Sequence, residues 1–202
     1  MTVFFFVRHA VTPETGKRLS GWTRGVHLSE EGVAQAEGAA SILDKAGITA
    51  LYSSPVDRAL ETARIIGSRI GVDTVVRKGL GEVRFGTWTN RSFGTLRRTK
   101  LWAEVQRRPS AIRFPNGESL REVQVRAVEE VEGICASHPR GKVCCVSHAD
   151  VIKLLAAHYL GMHMDFFQRI VVAPASVSVV ALGGGAPQVV ALNTAPQRTG
   201  EE

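Results

Sequence analysis

The sequence contains the stretch Val3-Phe4-Phe5-Phe6-Val7-Arg8-His9 near its start. Five β-branched or aromatic residues without a break are typical of a strand buried on both faces. In open α/β sheets, ligands bind in the crevice at the carboxyl ends of the strands. Arg8 and His9 are therefore expected at a ligand site, where arginine suits phosphate or carboxylate and histidine serves as nucleophile or base. Taken alone, the pair also fits a strand end that faces water.

A second histidine repeats this arrangement, because the apolar run 142–146 ends in Ser147-His148 and a helical pattern follows. Between and beyond the two sites, predicted strands and helices alternate. The strands are 48–52, 74–76, 176–182 and 188–192, and the helices are 29–46, 54–70 and 120–138. This alternation predicts an α/β fold, a three-layer α/β/α domain with a mostly parallel central sheet.

Two further charged residues follow predicted strands. Ser54 as N-cap and Pro55 at the first position predict a helix start, which places Arg58 in the first turn, one strand over from His9. A helix N-terminus favours anions, although a surface arginine is the more ordinary role. Glu82 is a lone carboxylate next to Gly81. In a partly apolar site it would have a raised pKa and serve as a general acid; the alternative is a loop glutamate paired with a neighbour such as Arg84.

Composition indicates one globular domain. The chain has 202 residues, 44% hydrophobic and 22% charged, and we expect the domain to span 1–193, with 87–118 as a lid and 194–202 as a flexible tail. No apolar run approaches the roughly 18 residues of a membrane span. The three cysteines lack metal-ligand spacing, and the neighbours Cys144 and Cys145 would point to opposite faces of a strand. Free thiols of this kind favour a cytoplasmic location.

A formal net charge of +6 indicates an anionic partner. The basic residues are scattered and aromatic residues make up only 6%, which favours a small phosphorylated substrate over nucleic acid. No membrane partner is expected. The sequence leaves open whether the protein forms a homo-oligomer.

Several stretches, in order along the chain, resemble the histidine phosphatase superfamily in its phosphoglycerate mutase-like branch. They are Arg8–Thr12 (the family's Arg-His-Gly-x-Thr), Leu28–Ala36, Tyr52–Ala63, Glu82–Trp88, Pro115–Ser119 and Val146–His148. The resemblance implies a phosphoglycerate mutase-like fold and a metal-independent phosphoryl transfer that needs no cofactor. It implies that His9 becomes a phosphohistidine. Arg8, Arg58 and His148 hold the phosphate in such proteins, and Glu82 is the general acid.

The departures from the family pattern bear on the reaction. Residues 82–86 lack the Arg-His pair of the mutase-type segment Glu-Arg-His-Tyr-Gly, which favours a phosphatase over a phosphomutase. Thr12 belongs to the phosphate loop, and Thr15 replaces an asparagine that touches phosphate. Ala10 and Ala149 replace glycines, which is tolerable where the backbone needs no positive φ.

Substrate recognition is predicted in two segments. In the loop 13–27 the candidates are Gly21 and Trp22. In the stretch 87–118, Trp88 would complete an apolar wall with Trp22, and Arg97 and Arg98 would bind a second anionic group.

Two other classes stay open at this stage. His9, His148 and Asp150 are residue types that hold a metal ion, although Arg8 beside them would repel a cation. The domain could also bind phosphoryl groups without turnover.

Overall fold

The structure, a computed structural model, describes residues 1–195. The strands are β1 (Thr2–Arg8), β2 (Ala50–Ser53), β3 (Thr74–Val76), β4 (Lys142–Ser147), β5 (Val177–Leu182) and β6 (Gln188–Thr194). The α-helices are α1 (Glu30–Asp44), α2 (Asp57–Ile70), α3 (Phe93–Leu96), α4 (Lys100–Arg107), α5 (Leu120–Ser137) and α6 (Ala149–Tyr159). Thr194, the first residue of the predicted tail, belongs to β6, and residues 196–202 lie outside the described part of the chain.

Across residues 1–195 the strands form one sheet in the order β3-β2-β4-β1-β5-β6. The first four in this order are parallel, whereas β5 is antiparallel to both of its neighbours. The sheet is therefore mostly parallel, as predicted. The carboxyl ends of β2, β4 and β1 meet at one edge as direct neighbours.

The two faces of the sheet are covered by different helices. Phe4 and Phe6 pack into the core with α5 and α6, whereas Val7 packs into the core with α1 and α2. Cys145 and Cys144 divide between the same two cores because side chains alternate along a strand. This arrangement confirms the three-layer α/β/α prediction.

The predicted helix start at Ser54 is wrong. The helix α2 begins at Asp57, and Val56 precedes it without a side-chain capping bond. The Ser54 hydroxyl instead accepts from the Val56 N–H at 3.2 Å and lies 2.8 Å from Nε2 of His148. Its hydrogen-bonding capacity therefore serves the strand-end cluster and not the helix.

The stretch 87–118, predicted as a lid, contains two short α-helices, α3 and α4. The helices are separate because the Thr99 side chain accepts from the backbone N–H of Trp102 and so starts α4 as a new helix. No helix among residues 1–195 is both long and apolar enough to cross a membrane.

Candidate active site

The two strand-end histidines lie side by side. The backbone N–H of His9 donates to the Ser147 carbonyl at 2.9 Å, and this bond joins the ends of β1 and β4. The imidazole ring centroids of His9 and His148 are 5.2 Å apart, and both side chains are buried. Adjacent parallel strands thus bring together two residues that are far apart in sequence.

The Arg58 side chain connects this pair. The prediction that it lies one strand over from His9 is wrong, because α2 follows β2 and β4 separates β2 from β1. Its long side chain covers the distance. Nε donates to His9 Nε2 at 3.1 Å, and Nη2 donates to His148 Nδ1 at 3.2 Å and to the Gly21 carbonyl at 3.0 Å. Arg58 is only 3% exposed, so these bonds form away from water.

These hydrogen bonds define the protonation of both rings. A guanidinium group only donates, so His9 Nε2 and His148 Nδ1 must accept. His9 Nδ1 lies 2.8 Å from the Ala10 carbonyl and therefore carries the proton. Burial first, and then the Arg58 charge, lower the pKa of both histidines well below the usual value. His9 is therefore neutral, with a lone pair on Nε2.

The Glu82 carboxylate completes the cluster. One oxygen lies 3.5 Å from Arg58 Nη2 and 3.5 Å from His148 Nδ1, and the other accepts from the Val83 N–H at 2.9 Å. Burial raises the pKa of Glu82 to about 7, with the Asp150 charge adding to the rise and Arg58 opposing it. Glu82 therefore holds and releases a proton near neutral pH.

Arg84, the neighbour named as a possible partner of Glu82, does not pair with it. The Arg84 guanidinium lies over the Trp22 ring, 4.1 Å from its centroid, and the Trp22 indole N–H donates to the Glu82 carbonyl at 2.5 Å. Trp22 therefore packs against the Glu82 backbone and Arg84 covers the Trp22 ring, and neither side chain lines the cavity described below.

Arg126 on α5 fixes the same backbone, and sequence reasoning missed it. Its guanidinium donates to the carbonyls of Gly79, Gly81 and Glu82 at 2.8 to 2.9 Å. It also pairs with Glu118 at 2.9 Å. An arginine among the polar positions of an amphipathic helix gives no sequence signal for this role, because the three carbonyls belong to a distant loop. Arg126 is thus a positioning residue for Glu82.

Two guanidinium nitrogens in the cluster have no hydrogen-bond partner within the described chain. Arg8 Nη1 donates to the Val172 carbonyl at 2.7 Å. However, Arg8 Nε and Arg58 Nη1 are buried and have no hydrogen-bond partner among residues 1–195. Buried donors in proteins are nearly always paired, because an unpaired one costs about 1–3 kcal/mol. Two free cationic donors beside a neutral histidine indicate a site for an anion.

The cluster opens into a cavity of about 310 Å³. The predicted site residues that line it are Arg8, His9, Thr12, Thr15, Gly21, Arg58, Glu82 and Trp88. Within this set, the Thr15 hydroxyl accepts from the Thr12 N–H at 2.9 Å, which closes the turn after β1. His148 is fully buried beside Arg58 and is not in the lining.

The structure does not bring Trp22, Arg97 or Arg98 to this cavity. Trp22 faces the Glu82 backbone, as described above. Arg97 and Arg98 are exposed and follow the end of α3, so their side chains face solvent. Of the predicted wall, Trp88 therefore lines the cavity and Trp22 does not.

The two alanines that replace family glycines adopt ordinary backbone angles. Neither Ala10 nor Ala149 is among the residues with positive φ within the described chain. The Ala10 methyl group is buried in the core with α1 and α2, and the Ala10 backbone N–H donates to the Thr62 hydroxyl at 3.1 Å.

A metal ion between the two histidines would meet the Arg58 guanidinium, which donates to both rings. Among residues 1–195, no group of three His, Cys, Asp or Glu side chains is close enough together to hold a metal.

Residues 4–195 match the histidine phosphatase superfamily (branch 1). The chain is 30% identical over 182 residues to the bifunctional protein Rv2228c of Mycobacterium tuberculosis; the match covers 88% of this chain and about half of that protein. It is 28% identical over 184 residues to a probable phosphoglycerate mutase GpmB of Proteus mirabilis, covering 89% and 85% of the two chains. The mycobacterial glucosyl-3-phosphoglycerate phosphatase Rv2419c, solved with VO3, superposes with a TM-score of 0.86 at 26% identity, covering 96% and 99% of the two chains.

The chain therefore belongs to the histidine phosphatase superfamily, and its fold is phosphoglycerate mutase-like. The superfamily consists of enzymes, with both phosphatases and mutases among the relatives. The resemblance deduced from the sequence motifs is confirmed.

The raised pKa of Glu82 predicts a pH-dependent gain in stability for Glu82→Gln. The folded-state pKa of about 7 exceeds the ordinary value of 4.5, so the folded protein binds more protons between these pH values and loses stability as pH rises through them. Glutamine removes this loss. We expect the free energy of unfolding of Glu82→Gln, relative to wild type, to rise by on the order of 2–3 kcal/mol between pH 4 and pH 8.

Urea unfolding at both pH values measures this change. Gln106→Ala changes a residue of the same cavity lining that carries no titratable group, and as the control it should show no such rise. A pH-independent difference for Glu82→Gln would contradict a raised pKa.

Proposed function

We propose that this protein is a metal-independent phosphomonoester hydrolase that forms a phosphohistidine at His9. The observation that carries the proposal is the pair of free, buried guanidinium donors on Arg8 and Arg58, next to the lone pair of His9 Nε2. A phosphoryl group fits this site once Arg58 Nε leaves His9 Nε2, because its oxygens then accept from both arginines while phosphorus faces the nitrogen. Similarity to the mycobacterial phosphatase supports a phosphorylated small molecule as substrate.

In the first step, His9 Nε2 attacks phosphorus. An N–P bond forms, the ester P–O bond breaks, and Glu82 gives its proton to the leaving oxygen. Arg8 and Arg58 neutralise the phosphoryl oxygens, and Thr12 and Thr15 line the same end of the cavity.

In the second step, the Glu82 carboxylate takes a proton from water while the water oxygen attacks phosphorus. The N–P bond breaks, its electron pair returns to His9 Nε2, and inorganic phosphate leaves.

When Arg58 turns to the phosphoryl group, Nδ1 of His148 is released. The negative charge then raises the pKa of His148, so that it takes a proton and donates to the phosphate.

A phosphomutase is the second candidate, because the same phosphohistidine could pass its phosphoryl group to an acceptor hydroxyl. The similarity to the probable phosphoglycerate mutase favours it. Against it, Arg84 stacks on Trp22 outside the cavity and supplies no charge for a phosphoglycerate carboxylate. A phosphoryl-binding module without turnover is a weaker third candidate, since it needs neither the His9 lone pair nor the Glu82 proton.

The proposal predicts hydrolysis that depends on His9 and not on metal. With EDTA present, wild type should release phosphate from phosphomonoesters, and His9→Ala should reduce kcat by at least about a thousandfold because no other group replaces the nucleophile. His163→Ala, which changes an exposed histidine outside the cavity, should have wild-type kcat. Activity abolished by EDTA, or retained in His9→Ala, would contradict the proposal. Transfer to a phosphoglycerate acceptor without release to water would favour the mutase.

The role of Glu82 predicts a dependence on the leaving group. Glu82→Gln should lower kcat/KM for glycerol phosphate by about a hundredfold or more, because an alkoxide needs a proton. It should lower kcat/KM for nitrophenyl phosphate much less, since nitrophenolate leaves without one. In wild type, kcat/KM for glycerol phosphate should fall as pH rises above about 7, where Glu82 loses its proton. Equal losses on both substrates would leave Glu82 without an acid role. Glu14→Gln, which changes another glutamate of the cavity lining, is the control.

A further inference from the structure

The cavity beyond the phosphoryl end has an aromatic wall. Its members come from the Glu82 segment and the stretch 87–118, and they are Phe85, Trp88, Phe93, Trp102 and Phe114. Trp88 and Trp102 are stacked with their centroids 6.2 Å apart, and Phe114 lies edge-on to Trp88 at 5.4 Å. Stacked and edge-to-face contacts of this kind join the rings into one apolar cluster.

The layers of this wall differ in exposure. Phe85, Trp88 and Phe114 are 3–4% exposed and form its base. Phe93 and Trp102 are half-buried and contact each other edge-on at 6.0 Å. The two half-buried rings are therefore the part of the wall that a bound molecule would cover.

Charge on the rest of the cavity surface is unsuited to a second anion. Beyond Arg8 and Arg58, the cation in the lining is Arg18, which is exposed and pairs with Glu14 at 3.3 Å. The lining also includes Asp150, whose negative charge acts on Arg8 and Glu82. A carboxylate or second phosphate placed here would meet two ion pairs of the described chain, Arg18 with Glu14 and Lys153 with Asp150, and no unpaired cation in the lining beyond Arg8 and Arg58.

We propose that the substrate of this site is a phosphomonoester of an apolar, ring-bearing alcohol without a second anionic group. The ring covers Phe93 and Trp102 while the phosphoryl group binds Arg8 and Arg58. The proposal rests on the proposed hydrolase function and adds the substrate class to it. It separates this chain from relatives named for phosphoglycerate-type substrates, although their fold is the same.

Three primary alkyl phosphates test this class without a change in leaving-group type. They are 2-phenylethyl phosphate, glycerol 1-phosphate and 3-phosphoglycerate. With EDTA present, kcat/KM should be at least about tenfold higher for the phenylethyl ester than for glycerol phosphate, and lowest for 3-phosphoglycerate. A reversed order, with 3-phosphoglycerate preferred, would overturn the proposal.

Variants in the wall locate the preference. Trp102→Ala and Phe93→Ala should each lower the ratio of kcat/KM for phenylethyl phosphate over glycerol phosphate by about tenfold. Trp102→Phe should keep most of the ratio, because a ring remains. Arg107→Ala, an exposed position on the same helix outside the cavity, should leave the ratio unchanged. An unchanged ratio in both alanine variants, with wild-type circular dichroism, would overturn the proposal.

Binding of phosphonates separates failure of the substrate class from failure of the hydrolase. Isothermal titration calorimetry should show 3-phenylpropylphosphonate binding at least about tenfold more tightly than 3-phosphonopropionate, with that difference lost in Trp102→Ala. If no ester is hydrolysed but this ranking holds, the hydrolase proposal fails and the ligand class stands. If esters are hydrolysed through His9 but the carboxylate compound binds more tightly, the substrate class fails alone.

Discussion

The buried guanidinium of Arg58 is the contact on which the site depends. It joins a helix after β2 to histidines at the ends of β4 and β1, and it fixes the loop carbonyl of Gly21. Removing a guanidinium from water is costly, and here the bonds to His9, His148 and Glu82 offset the cost only in part, since Nη1 stays unpaired. An anion that accepts a hydrogen bond from Nη1 would offset the remaining desolvation cost.

The same electrostatics connect nucleophile and acid. Arg58 and burial keep His9 neutral, which leaves a lone pair on Nε2, while burial and Asp150 keep a proton on Glu82 near pH 7. A histidine without a proton on Nε2 next to a carboxyl group that keeps its proton is characteristic of sites that perform acid–base chemistry. Arg126 fixes the backbone of Glu82 by donating hydrogen bonds to three carbonyls of its loop. The acid is therefore positioned by α5, on the other side of the sheet from α2.

Local patterns in the sequence were sufficient for the fold and for the chemical groups, but not for their arrangement. The apolar runs before His9 and His148 predicted two buried strands with a histidine at the end of each, because hydrophobic burial gives such strands an unbroken apolar sequence. The start of α2 was wrong because Ser54 bonds to His148, a contact across 94 residues that no local pattern reveals. Arg126 was missed for the same reason. Arg97 and Arg98 were expected at the substrate, yet they point to solvent because α3 and α4 present aromatic side chains to the cavity.

The proposed reaction depends on a covalent bond between His9 Nε2 and phosphorus. Rapid acid-free quenching of wild type with ³²P-labelled nitrophenyl phosphate, followed by phosphorus NMR and peptide mapping, tests it directly. We expect one labelled phosphorus per chain, stable in base and labile in acid, bonded to Nε2 of His9. Burst release of nitrophenolate without any label on the protein, or a label on another residue, would contradict it.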